Sequence, residues 1–304
     1  MAGFLGLSFA VLQSLMPVYP QQNADSTALD RQGVIDQTMH PFNGTHFQGV
    51  ETATLKGKVM CGYQGWFAAR GDGGDRGWSH WSGRNGFQPG SCGIDLWPDV
   101  SELDPDERYA TSFRHADGRS AQVFSAYNRK TVLRHFQWMK DHGIDGVFVQ
   151  RFINDTITPK NFRHVNVVLD HCREGANLRG RTYAVMYDLS GMGSGQMQRV
   201  MDDWKLLIDR MQIIKDHAYL HHAGKPVVAV WGFGFNDGRK YTVQEGLELV
   251  KFLKDDPRYG GCTVMLGVPT YWRTLARDCV NDRFQRRAFR AQRHEVARWP
   301  KDIH

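Results

Sequence analysis

Thr182-Tyr183-Ala184-Val185-Met186-Tyr187-Asp188 is the stretch whose reading decides the fold. It is too short for a helix of its own and shows no polar alternation, so it reads as a strand buried on both faces and closed by a carboxylate. The same design stands on either side of it. Upstream is Gly146-Val147-Phe148-Val149-Gln150-Arg151-Phe152, and before that Lys58-Val59-Met60-Cys61-Gly62-Tyr63-Gln64-Gly65-Trp66-Phe67. Downstream are Pro226-Val227-Val228-Ala229-Val230-Trp231 and Thr263-Val264-Met265-Leu266-Gly267-Val268.

Between these runs the apolar period changes to that of a helix. Residues 131–142 place Val132, Phe136 and Met139 on one face, and 165–178 read as helical. Residues 195–214 repeat Met197, Val200, Met201, Trp204, Leu207 and Met211, and 242–254 carry Leu247, Val250 and Leu253. Apolar strands alternating with amphipathic helices predict a parallel sheet covered by helices. The fold class is therefore α/β, a (β/α)8 TIM-barrel-like chain that is incomplete, with about five βα units. An open doubly wound sheet is the competing topology. No G-x-G-x-x-G follows any strand, which counts against a nucleotide fold.

The organisation outside the alternation is less regular. Residues 1–50 read as a leader and linker: Met1–Leu12 resembles the apolar core of a signal peptide, without a preceding Lys or Arg and without an A-x-A site. A mis-assigned start or a disordered leader is the alternative. The apolar run is too short to span a bilayer, so no membrane span is expected, and an exported protein is extracellular or periplasmic. Residues 51–282 form the partial barrel, interrupted by a Gly-rich, aromatic, aperiodic loop over 68–130, a length that usually serves function. Residues 283–304 carry seven Lys and Arg against Glu295 and Asp302, and so hold five of the six net positive charges. A native basic arm and a lost reading frame both fit that tail. The body has no basic stripe, and nucleic acid is not an expected partner.

The chemistry is sought at the ends of the strands, because barrel enzymes build their sites at the C-terminal ends of successive parallel strands. Those ends hold Tyr63, Gln64 and Trp66; Gln150 and Arg151; Asp188; Trp231; and Tyr271 and Trp272. The long loop adds Trp78, His80 and Trp81 in Gly77-Trp78-Ser79-His80-Trp81. Rings and a histidine at a rim suit stacking on sugars with hydrogen bonds from the imidazole. A small aromatic core that holds the loop together fits the same residues. Arg151 is placed either beside Asp188 or substrate, or in a buried ion pair. Asp188 either meets a sugar hydroxyl or caps the turn that follows it.

Five cysteines form no CxxC pair, no calcium-loop spacing occurs, and Gly71-Asp72-Gly73-Gly74-Asp75 reads as a turn, so neither a metal nor another cofactor is expected. No G-x-S-x-G elbow is present.

Taken together, Val59-Met60-Cys61-Gly62-Tyr63-Gln64-Gly65-Trp66-Phe67, Trp78-Ser79-His80-Trp81, Asp95-Leu96-Trp97-Pro98-Asp99 and Met186-Tyr187-Asp188-Leu189-Ser190-Gly191 resemble bacterial proteins with a glycoside hydrolase family 71/99-like domain. Some of those are labelled xylosidase/arabinosidase by similarity. The resemblance covers roughly residues 45–282 and implies a (β/α)8 barrel acting on oligo- or polysaccharide of the α-mannan or xylan type. It also implies a pair of catalytic glutamates near the end of the barrel. None of the seven glutamates (Glu51, Glu102, Glu107, Glu174, Glu245, Glu248, Glu295) closes a predicted strand. Glycosidases use two carboxyl groups across the scissile bond. The catalytic residues are thus unassigned, with Asp188 the one carboxylate in position, and sugar binding without hydrolysis is the alternative.

Overall fold

Strand register and chain order set the architecture. The computed structural model describes residues 29–235 and 237–270. Five strands, β1 (Met60–Tyr63), β4 (Gly146–Phe152), β5 (Thr182–Asp188), β7 (Lys225–Trp231) and β8 (Thr263–Gly267), pair in parallel in that order. Each new strand is added on the same side of the last. Right-handed crossovers then place every connecting helix on one face. This winding is consistent with a partial barrel, and among the described residues it lacks the reversal of order by which a doubly wound sheet makes its switch point. The barrel does not close among the described residues, where β1 and β8 each have one parallel neighbour.

Four of the five described helices begin at a side-chain cap. α2 (Arg129–Asp141) starts at Asn128, whose side chain accepts from the Lys130 and Thr131 amides. α3 (Pro159–Arg179) starts at Thr158 with proline in its first turn and ends at Gly180 in the left-handed region, φ +63°. α4 (Met197–Asp209) lies between β5 and β7, and stops before the predicted 214 because the chain turns through a short 3-10 segment, Ile213–Lys215. α5 (Val243–Asp255) opens with a capping box made by Thr242 and Glu245.

The main core fills the space between sheet and helices. Val147, Val149, Tyr183, Val185, Tyr187, Val228 and Val230 meet Phe136, Leu169, Cys172, Val200, Trp204, Leu207, Leu249 and Leu253 there. Arg151, Tyr183 and Tyr187 also point to this side, where they reach Asp203 and Asp216. Side chains alternate across a strand. The opposite, concave face therefore carries Met60 and Gly62; Phe148, Gln150 and Phe152; Met186 and Asp188; Ala229 and Trp231; Met265 and Gly267.

Two segments differ from their sequence reading. Inside the stretch read as linker, α1 (Arg31–Thr38) is capped by Asp30 and buries Val34 and Ile35, with Met39 beyond it, against α3. Eight residues give too short a window for periodicity to show; tertiary packing makes this helix. The loop over 68–130 is not featureless either. It contains an antiparallel hairpin, β2 (Tyr109–Arg114) with β3 (Ser120–Val123), and its own apolar cluster of Trp81, Phe87 and Val123 with Phe67, Trp78, Trp97, Phe113 and Phe124 around them. A two-residue strand, β6 (His221–His222), pairs antiparallel with β7. The segments 1–28 and 283–304 lie outside the described residues.

Candidate functional site

Parallel register brings four residues of the concave face to one level at the C-terminal ends of the strands. Phe152, Asp188, Trp231 and Gly267 are successive partners across β4, β5, β7 and β8. Asp188 is 5% exposed. Its carboxylate accepts from the Ser190 amide at 2.8 Å and from the Gln150 side-chain amide. Asp188 therefore caps its own turn, as one of its two sequence readings has it, and lies on the concave face. Trp231 is 39% exposed, packs at a tilt of 48° against neighbouring Phe235 at 5.1 Å, and lies against Gly267.

The loops beyond β5 and β7 frame this level. The Ser190 hydroxyl accepts from Arg239 Nη2 at 3.3 Å, and the Ser190 carbonyl accepts from Asn154 Nδ2 at 3.3 Å. Arg239 also donates to the Tyr241 hydroxyl at 2.6 Å and to Asp237 at 2.9 Å. Burial opposes ionisation of Tyr241 and pushes its phenol up.

At the β1 end, Gln64 is exposed and Trp66 is half-buried, its ring stacked on His80 at 4.4 Å and 6°. His80 sits at φ +62°, a left-handed conformation that costs a non-glycine residue on the order of 1 kcal/mol or more. Burial against Trp66, and the nearby Arg76 cation, hold the His80 imidazole below its usual range. Arg76 is itself tied to Asp155 at 3.1 Å, which pins the long loop to the turn after β4.

Other residues expected at the rim stand elsewhere. Arg151 is 2% exposed on the helix side, donating through Nε and Nη2 to Asp203 and through Nη2 to Asn166. It faces away from Asp188 because residues 151 and 188 belong to opposite faces of the sheet. Tyr63 is buried on the same helix side, its hydroxyl 2.9 Å from His135 Nδ1. Burial pushes the Tyr63 phenol well up and His135 down to about 4. Trp81 is 2% exposed at the centre of the second cluster, 4.3 Å from Phe67 and 5.1 Å from Phe124, and Trp78 packs on Phe87 at 5.2 Å. For Trp81 the reading as an aromatic core holds, because a loop of this length needs its own apolar centre. Tyr271 and Trp272 lie outside the described residues.

The structure thus brings together Asp188, Trp231 and Gln150, a strand-end residue in the sequence reading to which no binding role was given there. Alternation was the available signal for Gln150: it shares the parity of Phe148 and Phe152, and Arg151 does not. Arg239 and Tyr241 carried no signal, since they sit in an irregular loop.

Two carboxylate groupings bear on metals. Atoms of Asp104, Asp106 and Glu107 lie within 4.8 Å of one another. Lys130 reaches Asp104 and Asp106, and Arg134 reaches Asp104 and Glu107, so two cations already offset most of the charge of the three carboxylates. Asp72 accepts from the Ala69 and Gly74 amides and from Ser125 Oγ, which makes it the organiser of the glycine-rich turn.

No protein-family model matches the chain, and no curated protein matches it. Among solved structures it is similar to the GH99 endo-alpha-mannosidase from Bacteroides thetaiotaomicron, at 15% identity and a TM-score of 0.42, over 72% of this chain and 58% of that one. The same enzyme in complex with bis-tris-propane aligns at 16% identity and 0.33, over 57% of this chain and 41% of that one. Aspergillus fumigatus Ega3 in complex with galactosamine aligns at 10% and 0.28, over 56% and 68%. The chain spans less than two thirds of the mannosidase, and likenesses this weak carry no argument about activity. No helix among the described residues is long and apolar enough to cross a membrane.

Proposed function

We propose that this protein binds oligo- or polysaccharide along the C-terminal rim of its concave sheet face. The observation that carries the reading is the pairing of Asp188 with Trp231. They are register partners on adjacent strands, on one face, with the indole partly open to solvent. A pyranose resting its apolar face on the indole would present its edge hydroxyls to the Asp188 carboxylate and the Gln150 amide. Trp66 and His80 supply a second pair of rings at the β1 end.

Hydrolysis is the second reading, and Asp188 is its one candidate carboxylate. Glycosidases place a second carboxyl across the bond. None of the concave-face positions of the five parallel strands other than Asp188 bears one. Binding without turnover is therefore the expected behaviour, and an extracellular or periplasmic location would suit a polysaccharide ligand.

The test is calorimetric titration with xylan and α-mannan oligosaccharides, alongside a reducing-sugar assay. Binding that Trp231→Ala and Asp188→Asn each weaken at least tenfold, with no sugar released, supports the proposal. Saturation unaffected by either substitution would remove it. Sustained release of reducing ends, lost in Asp188→Asn, would make the protein an enzyme.

A further inference from the structure

We infer that Glu245 and Arg239 are positioning residues that set the orientation of the Asp188 carboxylate through the loop Leu189–Gln196. The inference rests on Asp188 being the carboxylate of the rim.

The loop reads Leu189-Ser190-Gly191-Met192-Gly193-Ser194-Gly195-Gln196. Gly191 and Gly195 both stand at φ +73°. A segment this rich in glycine has little conformational preference of its own, so its shape has to come from outside. It also contains no ionisable side chain. The charged groups that hold it come from elsewhere: Arg199 on α4 donates to the Gln196 side chain at 3.3 Å, while Arg239 and Glu245 stand on the segment that leads into and opens α5.

At the far end, one oxygen of Glu245 accepts from the Gly195 amide and lies 3.5 Å from Ser194 Oγ. The other oxygen accepts from the Thr242 amide at 2.6 Å, and Thr242 Oγ accepts from the Glu245 amide at 3.2 Å. A single carboxylate thus closes the capping box of α5 and seats the loop on that helix's first turn. An ionised acceptor makes such bonds stronger than a neutral one.

At the near end, Ser190 is the junction. Its amide donates to Asp188, while its hydroxyl accepts from Arg239. Arg239 donates to the Tyr241 hydroxyl, which donates in turn to the Gly232 carbonyl at 2.8 Å. Gly232 directly follows Trp231. A Cβ on Gly232 would stand 2.4 Å from Arg239 Nη1 and 2.6 Å from the Tyr241 hydroxyl, so the glycine leaves the space these two groups occupy. The carboxylate and the indole of the rim are therefore joined outside the sheet by one hydrogen-bonded chain, Asp188–Ser190–Arg239–Tyr241–Gly232.

The experiment follows the Ser190 amide by NMR in the sugar-free protein, for wild type, Glu245→Ala, Glu245→Gln and Arg239→Lys. Glu245→Ala is expected to shift the Ser190 resonance and speed its solvent exchange at least tenfold, with the β4 amides unmoved. Glu245→Gln keeps an oxygen for Gly195 and should recover most of the wild-type behaviour. A merely structural role would disturb β4 equally and would show no such rescue. Should Glu245→Ala fail to fold, Arg239→Lys decides alone: it keeps the charge and loses the fork, so the Ser190 resonance should move. An unmoved Ser190 amide in the folded variants overturns the inference. Because no sugar is present, that outcome would leave the binding reading standing, and a failure of sugar binding would not mimic it.

Discussion

Trp231 leans so closely on Gly267 that a Cβ at position 267 would stand 2.2 Å from its Cε3 atom. The two are register partners on β7 and β8, and the missing side chain of one is the seat of the other's ring. Gly267→Ala should therefore push the indole off the sheet. Overpacking of this kind costs about 1–3 kcal/mol. Urea unfolding should show that loss, and tryptophan fluorescence in the folded variant should report a changed ring environment. Unaltered emission and stability would mean the ring is not held there.

Trp81 and Trp231 should separate stability from binding. Trp81→Ala empties the centre of the second aromatic cluster and is expected to cost roughly 3–5 kcal/mol. Trp231→Ala removes a half-open ring and should cost much less while weakening sugar binding. Denaturant melts and titrations on both variants give the comparison, and equal effects on both readouts would contradict the assignment.

The Arg151–Asp203 pair is buried at both ends and joined by two hydrogen bonds, with the Tyr187 hydroxyl donating to the same carboxylate at 2.8 Å. Removing one partner strands the other. Asp203→Ala should lower the unfolding free energy by about 3–5 kcal/mol, and Arg151→Met combined with Asp203→Leu should recover much of it. Urea midpoints of the three proteins are the measurement.

Acid should weaken the fold before most carboxylates titrate. Burial holds His135, His164 and His171 at about 4, against an ordinary value of 6.5. Between those values the unfolded chain binds more protons than the folded one. Their contribution is complete above pH 6.5 and is lost as the pH falls toward 4, by up to about 1.4 kcal/mol per pH unit for each histidine. Thermal midpoints across this range should fall steeply, and His164→Gln should flatten the slope. A flat profile for the wild type would place these imidazoles in contact with solvent.

The alternation of strand and helix was legible because each element is apolar over its full buried length. Val147–Val149 and Ala184–Val185 admit no other reading once Gly146 and Thr182 are seen as their starts. α1 was not legible, since its eight residues owe their shape to burial of Val34 and Ile35. Nor was the hairpin in the long loop, whose strands pair with each other and with no other strand. At the site, Asp188 and Trp231 were found from their strand-end positions, whereas Arg239 reaches Ser190 across 49 residues and Glu245 reaches Gly195 across 50.

By itself the sequence determined the parallel α/β class, the order of its elements and the polar ends of its strands, because local period and caps are properties of short windows. Tertiary structure alone decided which face each strand-end residue takes. Register set Asp188 beside Trp231 on the concave side and sent Arg151 to Asp203 behind it. A strand's neighbours across the sheet are remote in sequence, and a shift of one residue exchanges its two faces.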